Sequence, residues 1–436
     1  MDSGFGRRHV IDTTSDPIAN SRVNAERDLK IAVIDAWLFS PDYDWALVDA
    51  LRGLGHEVRL CTSGPCSHGE SSATEALASH TLDPLTLSLL PWLSEPPAAW
   101  CKALLHPAVM RTLVRALRDW GPDVIHFQWT PFPLCDQWFL PALRRIAPIV
   151  CTVHDVVPFN GNPTSALQKV GAVDILRDFD AVVAHTRRSS QYLASLLPGS
   201  QKVCQIAHGL LHAGAVSGGP SSATDPTSGN KLVILFFGKI KPYKGLDTLI
   251  RAVSLLPARL HCRVGLRIVG KPYMDTHALK ALAESLRVTH MIDFQFRFVA
   301  SDQIPAMLQS ASVIVLPYRE VDASGVLMTA LAAGRPIVAT KVGAMAELLT
   351  HGQDALLVQA GDAAGLAGAL TQVLEDDGIR LSLSEGARRL QASIPTWPDI
   401  GRETVALYLQ VIDPTVRTIK HPSQFASTPS RREADH

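Results

Sequence analysis

Short apolar runs alternate with amphipathic stretches along most of the chain, and the two periods predict its elements. Ile31, Ala32, Val33 and Ile34 form an unbroken apolar run within residues 30–35. Such a run suits a parallel strand covered on both faces. Trp45, Leu47, Val48, Leu51 and Leu54 then recur at helical spacing, and Gly55 stands where a C′ glycine ends a helix. Further strand-length runs fall at 57–61, 123–127, 148–153, 180–184 and 202–206. The spacing predicts helices at 99–119, 136–146, 164–177 and 187–197. The first of these turns Leu104, Leu105, Val109, Leu113 and Leu117 inward. Residues 62–96, rich in Ser, Pro and Leu, follow neither period.

The rhythm breaks at 213–230, where Ala, Gly, Ser, Pro, Thr and Asp leave almost nothing to bury. A second alternating set begins with the strand 232–237. It continues with strands at 266–269, 292–299, 312–316, 336–340 and 355–358. Helices are expected at 246–256, 276–287, 303–310, 363–375 and 379–391, and a last one at 397–412 follows Pro395. The plan is a flexible leader at 1–28, a domain at 29–212, a linker at 213–230 and a second domain at 231–395. A closing helix within 396–419 can return to the first domain, and 420–436 is a polar, disordered tail. The fold class is α/β: two Rossmann-like doubly wound domains facing a cleft. Ligands in such sheets bind outside the carboxyl ends of the strands.

Composition narrows the function. Apolar content is 47% and charged content 19% over 436 residues, as in a folded soluble protein. Lys plus Arg is 41 and Asp plus Glu is 41, which gives no electrostatic footprint for nucleic acid. No apolar stretch is long enough to span a bilayer, and the first 29 residues lack a signal-peptide core. The seven cysteines are scattered with no C-x-x-C, which suits reduced thiols in a cytoplasmic protein. Lys102, Arg111, Arg115 and Arg118 make the helix at 99–119 basic. That helix can rest weakly on the inner membrane surface, or its charges can simply be a solvated face.

Three places carry candidate chemistry. The strand 312–316 runs through a polar loop into a helix on which Val326, Leu327, Leu331 and Ala332 share a stripe. Ser324 can cap that helix, and Gly325 lets a ligand approach the backbone where free N–H groups favour an anion. Gly238 and Lys239 close the strand 232–237, and Lys244 with Gly245 opens the next helix, so two ammoniums stand where a phosphate would be held. His154 ends a strand of the first domain and can reach across the cleft to a sugar hydroxyl or phosphate. Glu320 and Asp322, in the loop opposite, can accept hydrogen bonds from sugar hydroxyls.

Taken in order and spacing, these pieces resemble a two-domain GT-B glycosyltransferase of the family 4 type, retaining and metal-independent. The matching residues are Gly55-His56-Glu57-Val58, Thr152-Val153-His154-Asp155, Phe237-Gly238-Lys239, Lys244-Gly245, Ile268-Val269-Gly270 and Val315-Leu316-Pro317. The longest match is 330–340, Ala-Leu-Ala-Ala-Gly-Arg-Pro-Ile-Val-Ala-Thr, followed by Val342-Gly343 and Ala346-Glu347. The resemblance implies transfer of a hexosyl unit from a nucleotide diphosphate sugar to a hydroxyl of a glycan or lipid-linked acceptor, with no cofactor and no metal. It implies that Lys239 and Lys244 hold the diphosphate beside Gly238, and that backbone amides of Ser324, Gly325 and Val326 cap it. It makes His154 and Glu320 the catalytic pair, with Glu320 or Asp322 reading sugar hydroxyls. A branch with Tyr-Arg and Ser-Gly before this helix is similar, and many of its members build bacterial exopolysaccharides.

Two departures stand out. Aligned on Ala332-Ala333-Gly334, Thr329 occupies the place of the second family glutamate, and Met328 follows Glu320 by eight residues. The Thr329 hydroxyl is then the expected ribose contact. Ala36-Trp37-Leu38 replaces the glycine-rich loop after the first strand. A nicotinamide-dependent oxidoreductase would need G-x-G-x-x-G there, which neither half has. A sugar-nucleotide epimerase and a non-catalytic nucleotide-sugar binder are the readings that share the cleft.

Overall fold

The computed structural model describes residues 27–63, 86–88, 99–156, 168–197, 199, 203–212 and 231–415. The expected leader up to residue 26, the linker at 213–230 and the tail at 420–436 lie outside the described residues.

Two parallel sheets form. The first contains β1 Lys30–Ile34, β2 Glu57–Thr62, β3 Thr86–Ser88, β4 Val124–Phe127, β5 Ile149–Val153, β6 Ala181–Ala184 and β7 Val203–Gln205. Their spatial order is β3-β2-β1-β4-β5-β6-β7. The second contains β8 Leu232–Phe237, β9 Val264–Val269, β10 Ile292–Gln295, β11 Val313–Leu316, β12 Ile337–Thr340 and β13 Leu356–Val358, ordered β10-β9-β8-β11-β12-β13. Every pairing runs parallel, with registers such as Ile31↔Val58 and Ile234↔Leu266. Strands of this kind are buried on both faces, which is why β1, β4, β6, β11 and β12 read as unbroken apolar runs.

Each sheet reverses its winding once, between β1 and β4 and between β8 and β11. At those switch points the loops part and leave a crevice for a ligand. The residues there are Asp35 and Gln128 in the first sheet, and Gly238 and Pro317 in the second.

The helix Trp397–Ile412 packs on the helix Pro41–Gly53, and Ile400, Leu407 and Tyr408 enter the core beneath the first sheet. Thr396 and Asp399 close its N-terminus with a capping box. The halves also meet directly. Glu347 accepts from the amides of Arg187 (2.7 Å) and Arg188 (3.2 Å), at the first turn of the helix Arg187–Leu196. Asp322 accepts from Val156 N at 2.7 Å.

Four expectations need correction. The strand expected at 292–299 ends at Gln295, where Arg297 N folds back onto the Gln295 carbonyl at 2.9 Å and the chain turns. The helix expected at 136–146 is two short ones, Pro133–Asp136 and Leu140–Arg144, parted by Gln137–Phe139 with Pro141 starting the second. Of the helix expected at 164–177, residues 164–167 lie outside the described residues, 168–169 are helical, and a turn then leads into the 3₁₀ turn Asp174–Asp178. Leu104 is 72% exposed and lies off the inward face of the helix Ala99–Trp120.

Candidate active site

The second sheet supplies the cationic half of the site. Lys244 lies in a 3₁₀ turn, Pro242–Lys244, which Gly245 hands into the helix Leu246–Ser254. Gly245 has φ 68°, and a Cβ added there would stand 2.0 Å from Pro317 O, so only glycine fits. This close approach brings the loop after β8 against the loop after β11. Arg319 N donates to Tyr243 O at 2.7 Å, and the Arg319 side chain holds Pro242 O and Asp247.

Lys244 is thereby driven inward. Its Nζ donates to Tyr318 Oη at 2.9 Å and sits 4.7 Å from that ring's centroid. A Cβ placed on Gly238 would meet Lys244 Nζ at 3.0 Å and Val326 Cγ2 at 2.9 Å. Gly238, Lys244, Tyr318 and the first turn of the helix Gly325–Ala333 are therefore neighbours. The Ser324 hydroxyl accepts from Leu327 N at 3.2 Å and caps that helix, as its position suggested. Burial, then the charges of Lys239 and Lys241, push Lys244 down to about 7. Lys241 is brought down to about 8 by burial and by Lys239. Lys239 is exposed to the cleft and also lowered, first by desolvation.

Lys241 was missed by sequence reasoning, although three lysines within six residues at a strand end are a legible signal. Asp155, which entered the sequence reading only as the last residue of the motif after β5, faces the lysines. Burial and Asp322 raise it to about 7, against the pull of Lys241, Lys244 and Lys239. A cavity of about 290 Å³ opens between the halves here, lined by Asp155, Arg188, Lys241, Tyr243, Glu320 and Asp322. Glu320 is exposed on its wall. One Asp322 oxygen is already engaged by Val156 N, so its free capacity for a sugar hydroxyl is reduced.

His154 is placed differently from the expectation. It is 9% exposed, stacked on Trp129 at 4.9 Å and met edge-on by Tyr43 at 4.8 Å. Both ring nitrogens are engaged inside the protein. Nε2 faces the Gln128 amide at 3.1 Å, and Nδ1 faces His185 Nε2 at 3.2 Å. His185 Nδ1 donates to Ile206 O at 3.0 Å. A neutral His185 then accepts at Nε2, so His154 carries its proton on Nδ1, and the Gln128 amide, turned so that its otherwise unpartnered Nε2 stands where Oε1 is placed, donates to His154 Nε2. The expected contact from His154 to a transferred sugar is not formed by this arrangement, because neighbouring aromatic rings and Gln128 enclose the imidazole. The imidazole that does face the first turn of the helix Gly325–Ala333 is His208. Its Nδ1 donates to Gly209 O at 2.7 Å, and a Cβ on Gly325 would lie 3.9 Å from its Nε2. Burial holds His208 down at about 4. Only the apolar run before it hinted at a strand end, so its role was not legible.

Thr329 is turned into its own helix. It is 3% exposed and its hydroxyl donates to Gly325 O at 2.8 Å, the usual bond of a buried helical threonine to the preceding turn. The donor expected for a ribose is consumed within the helix.

The first sheet supplies the opposite wall. Asp35 Oδ2 accepts from Phe39 N at 2.6 Å and Ser40 N at 3.1 Å, while Leu38 takes φ 51°, left-handed without glycine. Asp35 and Asp44 are fully buried together, and burial raises both carboxyls. Trp37 Nε1 donates to His106 Nδ1 at 3.1 Å, and His106 Nε2 meets Asp136 at 2.5 Å, which anchors the loop after β1.

Residues 45–210 match the family described as Glycosyltransferase Family 4, and residues 231–376 match Glycosyl transferases group 1. A D-inositol 3-phosphate glycosyltransferase of Nocardioides sp. is 26% identical over 288 residues, 63% of each chain. The alignment therefore spans less than two thirds of that relative. A glycogen synthase of Mycobacterium tuberculosis is 26% identical over 391 residues, 83% of this chain and 89% of the relative. Among solved structures, sucrose-phosphate synthase from Thermosynechococcus elongatus superposes with TM-score 0.71 at 19% identity, covering 89% of this chain and 100% of that one. Anabaena HepE in complex with UDP and glucose gives 0.67 at 19% identity, covering 87% and 99%. With one family domain on each sheet and the cationic crevice between them, the chain belongs to the GT-B glycosyltransferases, a family 4 domain followed by a group 1 domain.

Proposed function

We propose that this glycosyltransferase moves a hexosyl unit from a nucleoside diphosphate sugar to a hydroxyl of a glycan or lipid-linked acceptor, with retention, in the synthesis of a cell-surface polysaccharide or glycolipid. The observation that carries this reading is the buried Lys244 ammonium, held by Tyr318 against Gly238 and the first turn of Gly325–Ala333. HepE, which shares the fold, is described with UDP-glucose bound, which favours a uridine donor.

The chemistry follows from charge. Breaking the sugar–phosphate bond leaves negative charge on the departing diphosphate. Lys239, Lys244 and the helix N-terminus stabilise that charge as it develops, in a site already partly desolvated. The lysines take the part that a divalent cation plays elsewhere. Glu320 and Asp155 line the cavity where the sugar hydroxyls would stand. The oxocarbenium-like sugar is attacked by an acceptor hydroxyl entering between the sheets.

Arg111, Arg115 and Arg118 are exposed along one stripe of Ala99–Trp120, with Leu104 on the same side and Trp138 80% exposed beyond it. We place this face on an anionic cytoplasmic membrane surface as a weak peripheral contact. Among the described residues, no helix is long and apolar enough to cross a membrane.

Incubation with UDP-glucose and other nucleotide sugars tests the assignment, with nucleotide release as the readout. Transfer predicts release that rises with acceptor. An epimerase would convert donor without release, and a pure binder would do neither, so either pattern overturns the reading.

A further inference from the structure

Val342-Gly343 and Ala346-Glu347 take no part in holding the donor. They lie at and within the short helix Gly343–Leu348 that follows β12. Gly343 has φ 45°, and a Cβ there would overlap Val321 O, so the helix start presses on the loop after β11 as only glycine allows. Ala344 N donates to Asp322 O at 3.0 Å and closes that contact. The helix and the loop that carries Glu320 and Asp322 therefore form one piece.

Two carboxylates reach from this piece to the first domain. Asp322 accepts from Val156 N at 2.7 Å. Glu347 accepts from Arg187 N at 2.7 Å and from Arg188 N at 3.2 Å. Arg187 and Arg188 open the helix Arg187–Leu196, where the first amides have no acceptor within the helix, and the Thr186 hydroxyl serves Ser189 N. A carboxylate across two such amides is also favoured by the positive end of the helix. The anchor points follow β5 and β6, neighbouring strands paired as Thr152↔Val183 and Val153↔Ala184. Two adjacent strand ends of the first sheet are thus tied to one loop of the second.

The tie frames the cavity between the halves. Asp155 precedes Val156, and Arg188 is itself tied, and both line the cavity. Glu320 and Asp322 line it from the second domain. Both Glu347 oxygens are spent on backbone amides, so Glu347 acts on the cavity through Arg188 and not on a ligand. Glu347, Arg187 and Arg188 are exposed, so water can replace these bonds and the contact can open for ligands to pass.

We propose that Glu347 is a positioning residue for transfer: with Asp322 it clamps the loop after β11 onto the ends of β5 and β6, and so sets Arg188 and Asp155 against Glu320. This rests on the donor reading above and adds a residue that serves the closed cleft and not donor affinity. Groups held in place before the reaction lower its barrier without tightening the ground-state complex.

The test uses the full chain with UDP and UDP-glucose. Glu347→Ala should keep the parent's UDP affinity in calorimetry. At saturating UDP-glucose its nucleotide release should fall about tenfold to a hundredfold, the worth of a charged hydrogen bond, with KM for UDP-glucose unchanged. Glu347→Gln, whose amide oxygen can still accept from Arg187 N, should recover part of the rate. Hydrogen exchange gives a second readout. The amides of Arg187, Arg188 and Val156 should lose protection in Glu347→Ala, while residues 190–196 of the same helix keep theirs. Where the alanine variant fails to fold, Glu347→Gln carries the same comparison of rate against UDP affinity. Release at the parent rate, UDP affinity that falls in step with the rate, or unchanged protection at 187–188 overturns the proposal. Failure of the parent to bind UDP would instead strike the donor reading, and exchange at 187–188 would still decide whether the clamp forms.

Discussion

Replacing Lys244 by Met should move two observables in opposite directions. The ammonium is 5% exposed, and its pKa is brought down from 10.5 to about 7. The folded chain thus holds this proton less tightly than the unfolded chain. Between about pH 7 and pH 10.5 the unfolded state binds more protons, so stability rises with pH across that window. At pH 7 and below, the empty protein carries nearly the full cost of the buried charge, on the order of several kcal/mol at 1.36 kcal/mol per unit. Met removes that cost and keeps the volume. It also removes the bond to Tyr318 Oη, a loss of about 1–2 kcal/mol. The empty Lys244→Met chain should therefore be the more stable one at pH 7, by about 1–3 kcal/mol. Its response to UDP should shrink. Losing a charged hydrogen bond of about 1.5–3 kcal/mol weakens binding about tenfold to a hundredfold. At UDP one hundred times the parent Kd, stabilisation then falls from about 2.7 to between about 1.4 and 0.4 kcal/mol. Denaturant melts with and without UDP read both effects, and transfer should fall by a similar factor. An empty variant less stable than the parent, or one with the full UDP shift, would refute the argument that this lysine is strained for the sake of an anion.

Other outcomes follow from the same charges and contacts. UDP binding at pH 7.5 should take up on the order of one proton, because Lys244 and Asp155, both near 7, gain protons beside a diphosphate. Titration calorimetry in buffers of different ionisation enthalpy measures it. The uptake should fade below pH 6, and proton release at pH 7.5 would contradict the assignment. Gly245→Ala meets Pro317 O at 2.0 Å with φ 68°, so it should destabilise by on the order of 3 kcal/mol or more in denaturant melts. A change under about 1 kcal/mol would show that the two loops are free to part. Chelation of divalent cations should leave nucleotide release unchanged, and restoration of a lost rate by added Mg²⁺ would argue against the lysines as the sole counter-charge.

Much of the fold was legible because buried parallel strands cannot hide. Val313–Leu316 and Ile337–Thr340 have no polar side to present until Thr340, and the glycines at 55, 245 and 334 fall at turns with positive φ. Register-level detail was not legible. Strand β3 sits in a stretch without period, and the extended run after Ile292 is ended by a tight turn of Arg297 N onto Gln295 O that sequence spacing does not encode. At the site, Ser324, Gly238 and Lys244 were readable from their places at strand ends and helix starts. The fates of His154 and Thr329 were not, because each was decided by partners distant in sequence or by a local bond competing with the ligand. His154 is tied to Gln128 and His185, 26 and 31 residues away.

The missing glycine-rich loop and the enclosed His154 belong to one physical arrangement. A glycine-rich loop after β1 would offer amides to an anion; here Asp35 takes those amides, and Trp37 fills the place where backbone would approach. An imidazole at the end of β5 would reach into the cleft; here the Trp129 and Tyr43 rings hold His154 inside the first domain. Both changes withdraw polar groups of the first sheet from the gap. The cationic groups that face it are side chains, Arg188 from the first half and Lys241 and Arg319 from the second, with Lys239 and Lys244 close behind. Recognition by ammoniums on flexible stems tolerates more varied anion positions than a fixed ring of amides does. It also makes the empty cleft self-repelling, which adds to burial, the larger cause, in bringing Lys241 and Lys244 down. An anionic ligand relieves that repulsion by drawing both walls together. Closure of the two domains and binding of the diphosphate are therefore expected to be one coupled event, driven by the charge that the empty protein cannot comfortably hold.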